Sequence, residues 1–132
     1  MKICISAATA GSLDAPIDPR FGRCPYFVIV DSETMQFEAI PNMASGGVSG
    51  AGIQAAQIIA SRDVEVLITG NVGPNAFQAL SAAGIKIVVG AFGTARGVIE
   101  KYKRGELKET GAPTVRGHFG RGMGRGRGWG KR

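Results

Sequence analysis

Twice in its second half the chain repeats one unit: a short apolar run, a glycine-bearing turn, then a stretch with helical spacing. "EVLITG" leads into "PNAFQALSAAG", and "KIVVGA" leads into "TARGVIEKYKRGEL". Strands separated by one helix must run parallel, and the crossover between them is right-handed. This commits the chain to an α/β fold with helices lying on a sheet. The punctuation agrees: Pro74 sits where a first helical residue would, Gly84 closes that helix, and Thr94 is placed to N-cap the last one.

The first half supplies the rest of the sheet. "KICISAA" reads as a strand apolar on both faces, as expected at the centre of a covered sheet. "YFVIVDSETMQFEAIPN" reads as a hairpin with a polar turn near Asp31 to Thr34, ended by Pro41 and Asn42. The glycine-rich "ASGGVSGAG" opens into "IQAAQIIASRD", where Ile53, Ala56, Ile59 and Ala60 share one helical face. The expectation is an α/β three-layer sandwich with a mixed five-stranded sheet and three helices.

The formal charge of +6 is concentrated at one end. Residues 1–110 balance their acids and bases, whereas "GAPTVRGHFGRGMGRGRGWGKR", residues 111–132, carries lysine and arginine but no acid. That segment has little to bury and reads as a disordered Gly/Arg-rich basic tail. Residues 1–110 then form one domain, and the basic balance says nothing about the partners of that body. With Met1 and Lys2 running straight into a short apolar strand and no long apolar span, a cytoplasmic location without membrane insertion is expected. In a reducing compartment Cys4 and Cys24 are expected to be thiols.

In open α/β sheets, ligands bind beyond the carboxyl ends of the strands, where loops converge and helix N-termini point their N–H groups. Four glycine-rich segments fall there: the loop holding Arg20, Phe21, Gly22, Arg23 and Cys24; the turn with Gly47, Gly50 and Gly52; "GNVGPN" with Gly70, Asn71, Gly73 and Asn75; and the turn with Gly93 and Thr94. Such loops can offer bare amides to a large anion. None is a P-loop or a dinucleotide fingerprint, since the lysine and the compact βαβ context are missing. A tight turn at Phe21 and Gly22 would aim the Arg20 and Arg23 guanidinium groups into the same space. Cys24, flanked by these charges, is expected to form a thiolate readily, and soft thiolates favour copper(I), iron and metal–sulfur species. Gap-filling at a strand start is the alternative role for Cys24, and core packing is the expectation for Cys4. Asp14 and Asp18 read as turn-formers rather than cation ligands. His118 is the one histidine and lies in the tail, so the body has no imidazole for acid–base work and is not expected to be an enzyme.

Taken together, "DPRFGRCPYFVIVD", "GGVSGAGIQAAQ", "ITGNVGPNAFQALSAAGIKI" and "VIEKYKRGEL" resemble the dinitrogenase iron-molybdenum cofactor biosynthesis family, over nearly all of residues 1–107. The resemblance implies a ribonuclease H-like fold, and binding rather than turnover: carriage or assembly of an anionic metal–sulfur cluster containing molybdenum with iron or copper. It also implies cluster donor or acceptor proteins as partners, and a monomer is expected. The Arg20 to Cys24 loop corresponds to the family's cluster-facing loop. Nitrogenase accessory members commonly carry a histidine after this "RFG", whereas this chain has Arg23 and then Cys24. The departure favours a sulfide-rich cluster held by charge, with Cys24 as the candidate metal ligand. Two other readings compete. The tail's arginines, with Phe119 and Trp129 for stacking, suit nucleic acid, and His118 and Met123 could serve a metal. An enzyme acting on a phosphorylated small molecule ranks last, for want of an acid–base pair.

Overall fold

A computed structural model of the chain describes residues 1–10, 12–44 and 50–113. Its elements follow the order β1 (Lys2–Ala7), β2 (Tyr26–Asp31), β3 (Phe37–Pro41), α1 (Ala51–Ala60), β4 (Val66–Ile68), α2 (Pro74–Ala82), β5 (Lys86–Val88) and α3 (Ala95–Lys103). The expected mixed five-stranded sheet with three helices is present. Its strand order is β3-β2-β1-β4-β5, with β2 antiparallel to both β1 and β3, and β1, β4 and β5 mutually parallel.

Alternation along β1 builds the three layers. Cys4 faces a cluster with Ala55, Ala56 and Ile59 of α1 and Ala76 and Leu80 of α2. Ile3, Ile5 and Ala7 face the opposite cluster, with Val98 and Ile99 of α3. Period-two burial on a central strand thus requires helices on both sides of the sheet.

The punctuation holds where it was read. Pro74 is the first residue of α2, Gly84 takes the left-handed conformation past its end (φ 78°), and the Thr94 hydroxyl accepts the Gly97 N–H at 3.1 Å. Two details differ from the sequence expectation. α1 begins two residues earlier than its apolar pattern, and its buried face is Ala51, Ala55, Ala56 and Ile59, leaving Ile53 exposed. α1 lies close against α2, where a Cβ on Gly52 would stand 2.9 Å from the Ala76 Cβ. The hairpin turn also runs further, to Gln36, with Asp31 Oδ1 accepting the Glu33 N–H at 2.8 Å and Met35 held at φ 62°.

β2 is antiparallel to its neighbours, so the chain leaves β1, β3, β4 and β5 at the same edge of the sheet. At the β5 edge, Glu109 bridges Val88 and the Thr110 N–H reaches the Ile87 carbonyl at 2.7 Å. Residues 109 and 110 are thus tied to the edge of the sheet. No described helix is long and apolar enough to cross a membrane.

Candidate functional site

At that edge a cavity of about 360 Å³ opens between the loop after β1, the start of α1 and the start of α2. Its lining comprises Arg20, Phe21, Gly22, Gly52, Asn71, Gly73, Asn75, Pro74 and Ala76. Seven of the residues singled out in the sequence meet here, from three separate segments.

Close backbone approach makes the meeting feasible. A Cβ on Gly22 would lie 3.0 Å from the Gly52 nitrogen, and one on Gly52 would lie 2.9 Å from the Ala76 Cβ. The loop rests on α1 at Gly22, and α1 rests on α2 at Gly52, two positions where an added Cβ would be crowded. Phe21 anchors the loop from below: it is buried and lies 5.5 Å, ring to ring, from Phe27.

The two helices that border the cavity share an electrostatic feature. α1 starts after Gly50 (φ 73°) and α2 after Gly73, neither with a side-chain cap, and neither has an acidic residue in its first turn. The first amides of a helix have no acceptor within it, and they carry the positive end of the helix dipole. α3 differs, because Thr94 caps it. Gly93 and Thr94 accordingly lie outside the cavity: Gly93 accepts the Ile17 N–H at 2.9 Å, and the Thr94 hydroxyl is committed to its own helix. Among the described residues no aspartate or glutamate lines the cavity.

Arg20 supplies the fixed charge. Its guanidinium is exposed on the cavity side and paired behind with Asp18, Nε donating to Oδ1 at 3.0 Å and Nη2 to Oδ2 at 2.9 Å. The Asp18 carboxyl is held below the usual carboxylate range, chiefly by this hydrogen-bonded guanidinium. Arg23 is exposed but does not line the cavity, so the expectation that both guanidinium groups turn into one space is corrected. The Arg23 N–H closes a turn on the Arg20 carbonyl at 3.2 Å.

Cys24 requires a further correction. Its thiol is fully buried in the cluster beneath α1 and α2, donating to the Phe21 carbonyl at 3.2 Å. Burial pushes its pKa up to about 12, with the nearby Asp18 carboxylate adding to the rise. Desolvation outweighs the positive charges that the sequence placed around it, so no ready thiolate forms. Cys4 is also fully buried, and its pKa is raised by the same effect. The described residues contain no group of three or more His, Cys, Asp or Glu placed to hold a metal ion.

Of the remaining predicted positions, Gly50 caps α1 at the rim, and Gly70 lies beneath Pro19, the residue before Arg20. Gly47 lies outside the described residues, as do His118, Phe119, Met123 and Trp129 and the tail from residue 114 on. Sequence reasoning missed three supports of the site. Asp18 forms a turn as expected but also clamps Arg20. Asn42 is buried, and its Nδ2 donates to the Gly22 carbonyl at 3.2 Å and the Cys24 carbonyl at 2.9 Å. Ser6 on β1 and Thr69, the residue just past β4, are both fully buried and joined through their hydroxyls at 2.7 Å. A polar residue inside an otherwise apolar strand was the signal available for Ser6 and Thr69.

The sequence profile described as dinitrogenase iron-molybdenum cofactor matches residues 1–105. The chain belongs to that family. Among solved structures, the apo form of the orange protein from Desulfovibrio gigas superimposes with a TM-score of 0.84 at 40% identity, covering 86% of this chain and 96% of that one. The Thermotoga protein TM1290, solved by NMR, follows the same path with a TM-score of 0.71 at 34% identity, covering 82% and 91%. The uncharacterized protein MJ0580 of Methanocaldococcus jannaschii is 36% identical over 74 residues, a stretch of 54% of this chain and 63% of MJ0580. This family member thus spans less than two thirds of that relative's length.

Proposed function

We propose that the chain binds an anionic metal–sulfur cluster in the cavity bordered by α1 and α2, as a carrier or assembly platform. The observation that carries this reading is the convergence of two helix N-termini without side-chain caps and the Arg20 guanidinium on a cavity with no carboxylate lining among the described residues. That donor set suits a large anion that brings its own ligands. A bare metal ion would need protein ligands, and none are grouped among the described residues. Sulfide ligands on the cluster would accept hydrogen bonds from the amides of Gly52, Asn75 and Ala76 and from Arg20 and Asn71. The role is binding and hand-over, with cluster donor or acceptor proteins as partners. Family membership supports a cluster related to the iron-molybdenum cofactor, and the absence of a histidine after "RFG" favours a sulfide-rich one containing molybdenum with iron or copper.

An anaerobic titration of the full chain with tetrathiomolybdate, with and without copper(I), followed through backbone amide resonances, tests this. Saturable shifts centred on Arg20 to Gly22, Gly52, Asn75 and Ala76 are expected. Absence of shifts, or shifts confined to residues 116–132, would overturn the reading and turn attention to the tail and to nucleic acid.

A further inference from the structure

Asp18 does not line the cavity, but it is heavily tied within the loop that faces it. Its carbonyl accepts the buried Ser6 hydroxyl at 2.6 Å, and its N–H donates to the Ser6 carbonyl at 2.9 Å. Ser6 is itself fixed to Thr69, the residue just past β4. One residue further, the Pro19 carbonyl accepts the Asn71 N–H at 2.8 Å, and the Pro19 ring fills the space that a Cβ on Gly70 would occupy. The Asp18 side chain is only 7% exposed, against 65% for that of Arg20. Asp18 Oδ1 accepts both the Arg20 main-chain N–H, at 2.9 Å, and its Nε–H. Backbone and side chain of Arg20 are therefore both set by one carboxylate, which is anchored to the ends of β1 and β4.

A guanidinium is a planar fork with donors along two edges. Asp18 occupies the edge formed by Nε and Nη2. Among the described residues no hydrogen bond from Nη1 or from the second Nη2 hydrogen is formed, and these donors face a ligand in a direction that the clamp defines. The carboxylate also offsets the charge of Arg20, so a ligand meets oriented donors more than net charge.

We infer that Asp18 is the positioning residue of the site: it orients the Arg20 fork toward the cavity and makes recognition of the anionic cargo depend on directional hydrogen bonds. This rests on the cluster-binding reading above. It makes a prediction whose sign separates it from simple electrostatics. Asp18→Asn adds one positive charge beside the cavity, so a site working through net charge would bind an anion more tightly. A site working through an oriented fork binds it more weakly.

The test is the affinity of the full chain for tetrathiomolybdate in wild type, Asp18→Asn, Arg20→Lys, Arg20→Ala and the double variant Asp18→Asn with Arg20→Ala. Thermal unfolding of each variant confirms that it is folded. Asp18→Asn is expected to weaken binding about tenfold, equivalent to about 1.4 kcal/mol. Arg20→Lys keeps the charge without the fork and should match that loss. In the Arg20→Ala background, Asp18→Asn should weaken binding no further, because the group it positions is gone. Tighter binding by Asp18→Asn, wild-type affinity in Arg20→Lys, or an equal loss from Asp18→Asn in both backgrounds would overturn the inference while leaving cluster binding intact. A wild-type chain that does not bind tetrathiomolybdate would overturn the cluster-binding reading and this inference with it. If Asp18→Asn fails to fold, Arg20→Lys decides the question.

Discussion

Gly70→Ala is the substitution whose effect is best defined by the geometry. Gly70 follows β4 by two residues, and an added Cβ would stand 2.6 Å from the Pro19 Cβ and 2.7 Å from its Cα. Non-bonded carbons rest at about 3.5–4.0 Å, so the loop and the end of β4 must part by roughly 1 Å. The Asn71 N–H to Pro19 carbonyl bond, 2.8 Å long, cannot survive that separation. Its loss costs about 1 kcal/mol, and residual overpacking against backbone adds about 1–3 kcal/mol. The sum of about 2–4 kcal/mol corresponds to a fall in melting temperature of roughly 10–20 °C for a small domain. Thermal and urea unfolding followed by far-UV circular dichroism would measure it, with a lower urea midpoint and an unchanged m-value. Gly111→Ala, which meets no atom within 4 Å, serves as the control. A Gly70→Ala chain within about 0.5 kcal/mol of the parent, the range of ordinary surface substitutions, would refute the close-approach argument.

Three further outcomes are expected. At pH 8 the native chain should resist alkylation at both Cys4 and Cys24 and be modified only once unfolded in urea, because burial raises both thiol pKa values, that of Cys24 to about 12; rapid labelling of native Cys24 would refute this. Asn42→Ala should cost about 1–3 kcal/mol in urea unfolding, since it strips the Gly22 and Cys24 carbonyls and the Ala44 N–H of a buried partner. Asp18 has a folded pKa depressed by Arg20, so its contribution to stability is complete above the ordinary aspartate value of about 3.9 and is lost as pH falls through the folded value. Asp18→Asn should therefore flatten the acid limb of a stability-versus-pH curve, and superimposable limbs would count against the ion pair.

The fold was largely legible because its signals are local. Pro74, Gly84 and Thr94 mark helix ends through backbone chemistry that does not depend on the rest of the chain. The parallel arrangement of β4 and β5 follows from the helix between them. The cavity's membership was legible in part for a similar reason: glycines at the ends of parallel strands lie at the one edge where loops converge, and Gly22, Gly52 and Gly73 do meet there.

Charge and burial were not legible in the same way. "RFGRC" places two arginines next to a thiol in sequence, which suggests a thiolate. The fold leaves Arg23 out of the cavity lining, spends one edge of Arg20 on Asp18 and sinks Cys24 beneath two helices, and the cost of desolvating a buried charge then exceeds the help of neighbouring cations. The α1 pattern failed at Ile53 because which face of a helix is buried depends on what it packs against, and here α1 approaches α2 most closely through Gly52 against Ala76. The sequence by itself determined the elements, their order and the edge at which the glycine-bearing loops converge, since propensity, turn chemistry and connection length act over a few residues. Only the tertiary structure decided which side chains share the cavity, which ion pair orients Arg20, and that Cys24 is core, because these depend on distances between residues far apart in the chain and on the water excluded when they meet.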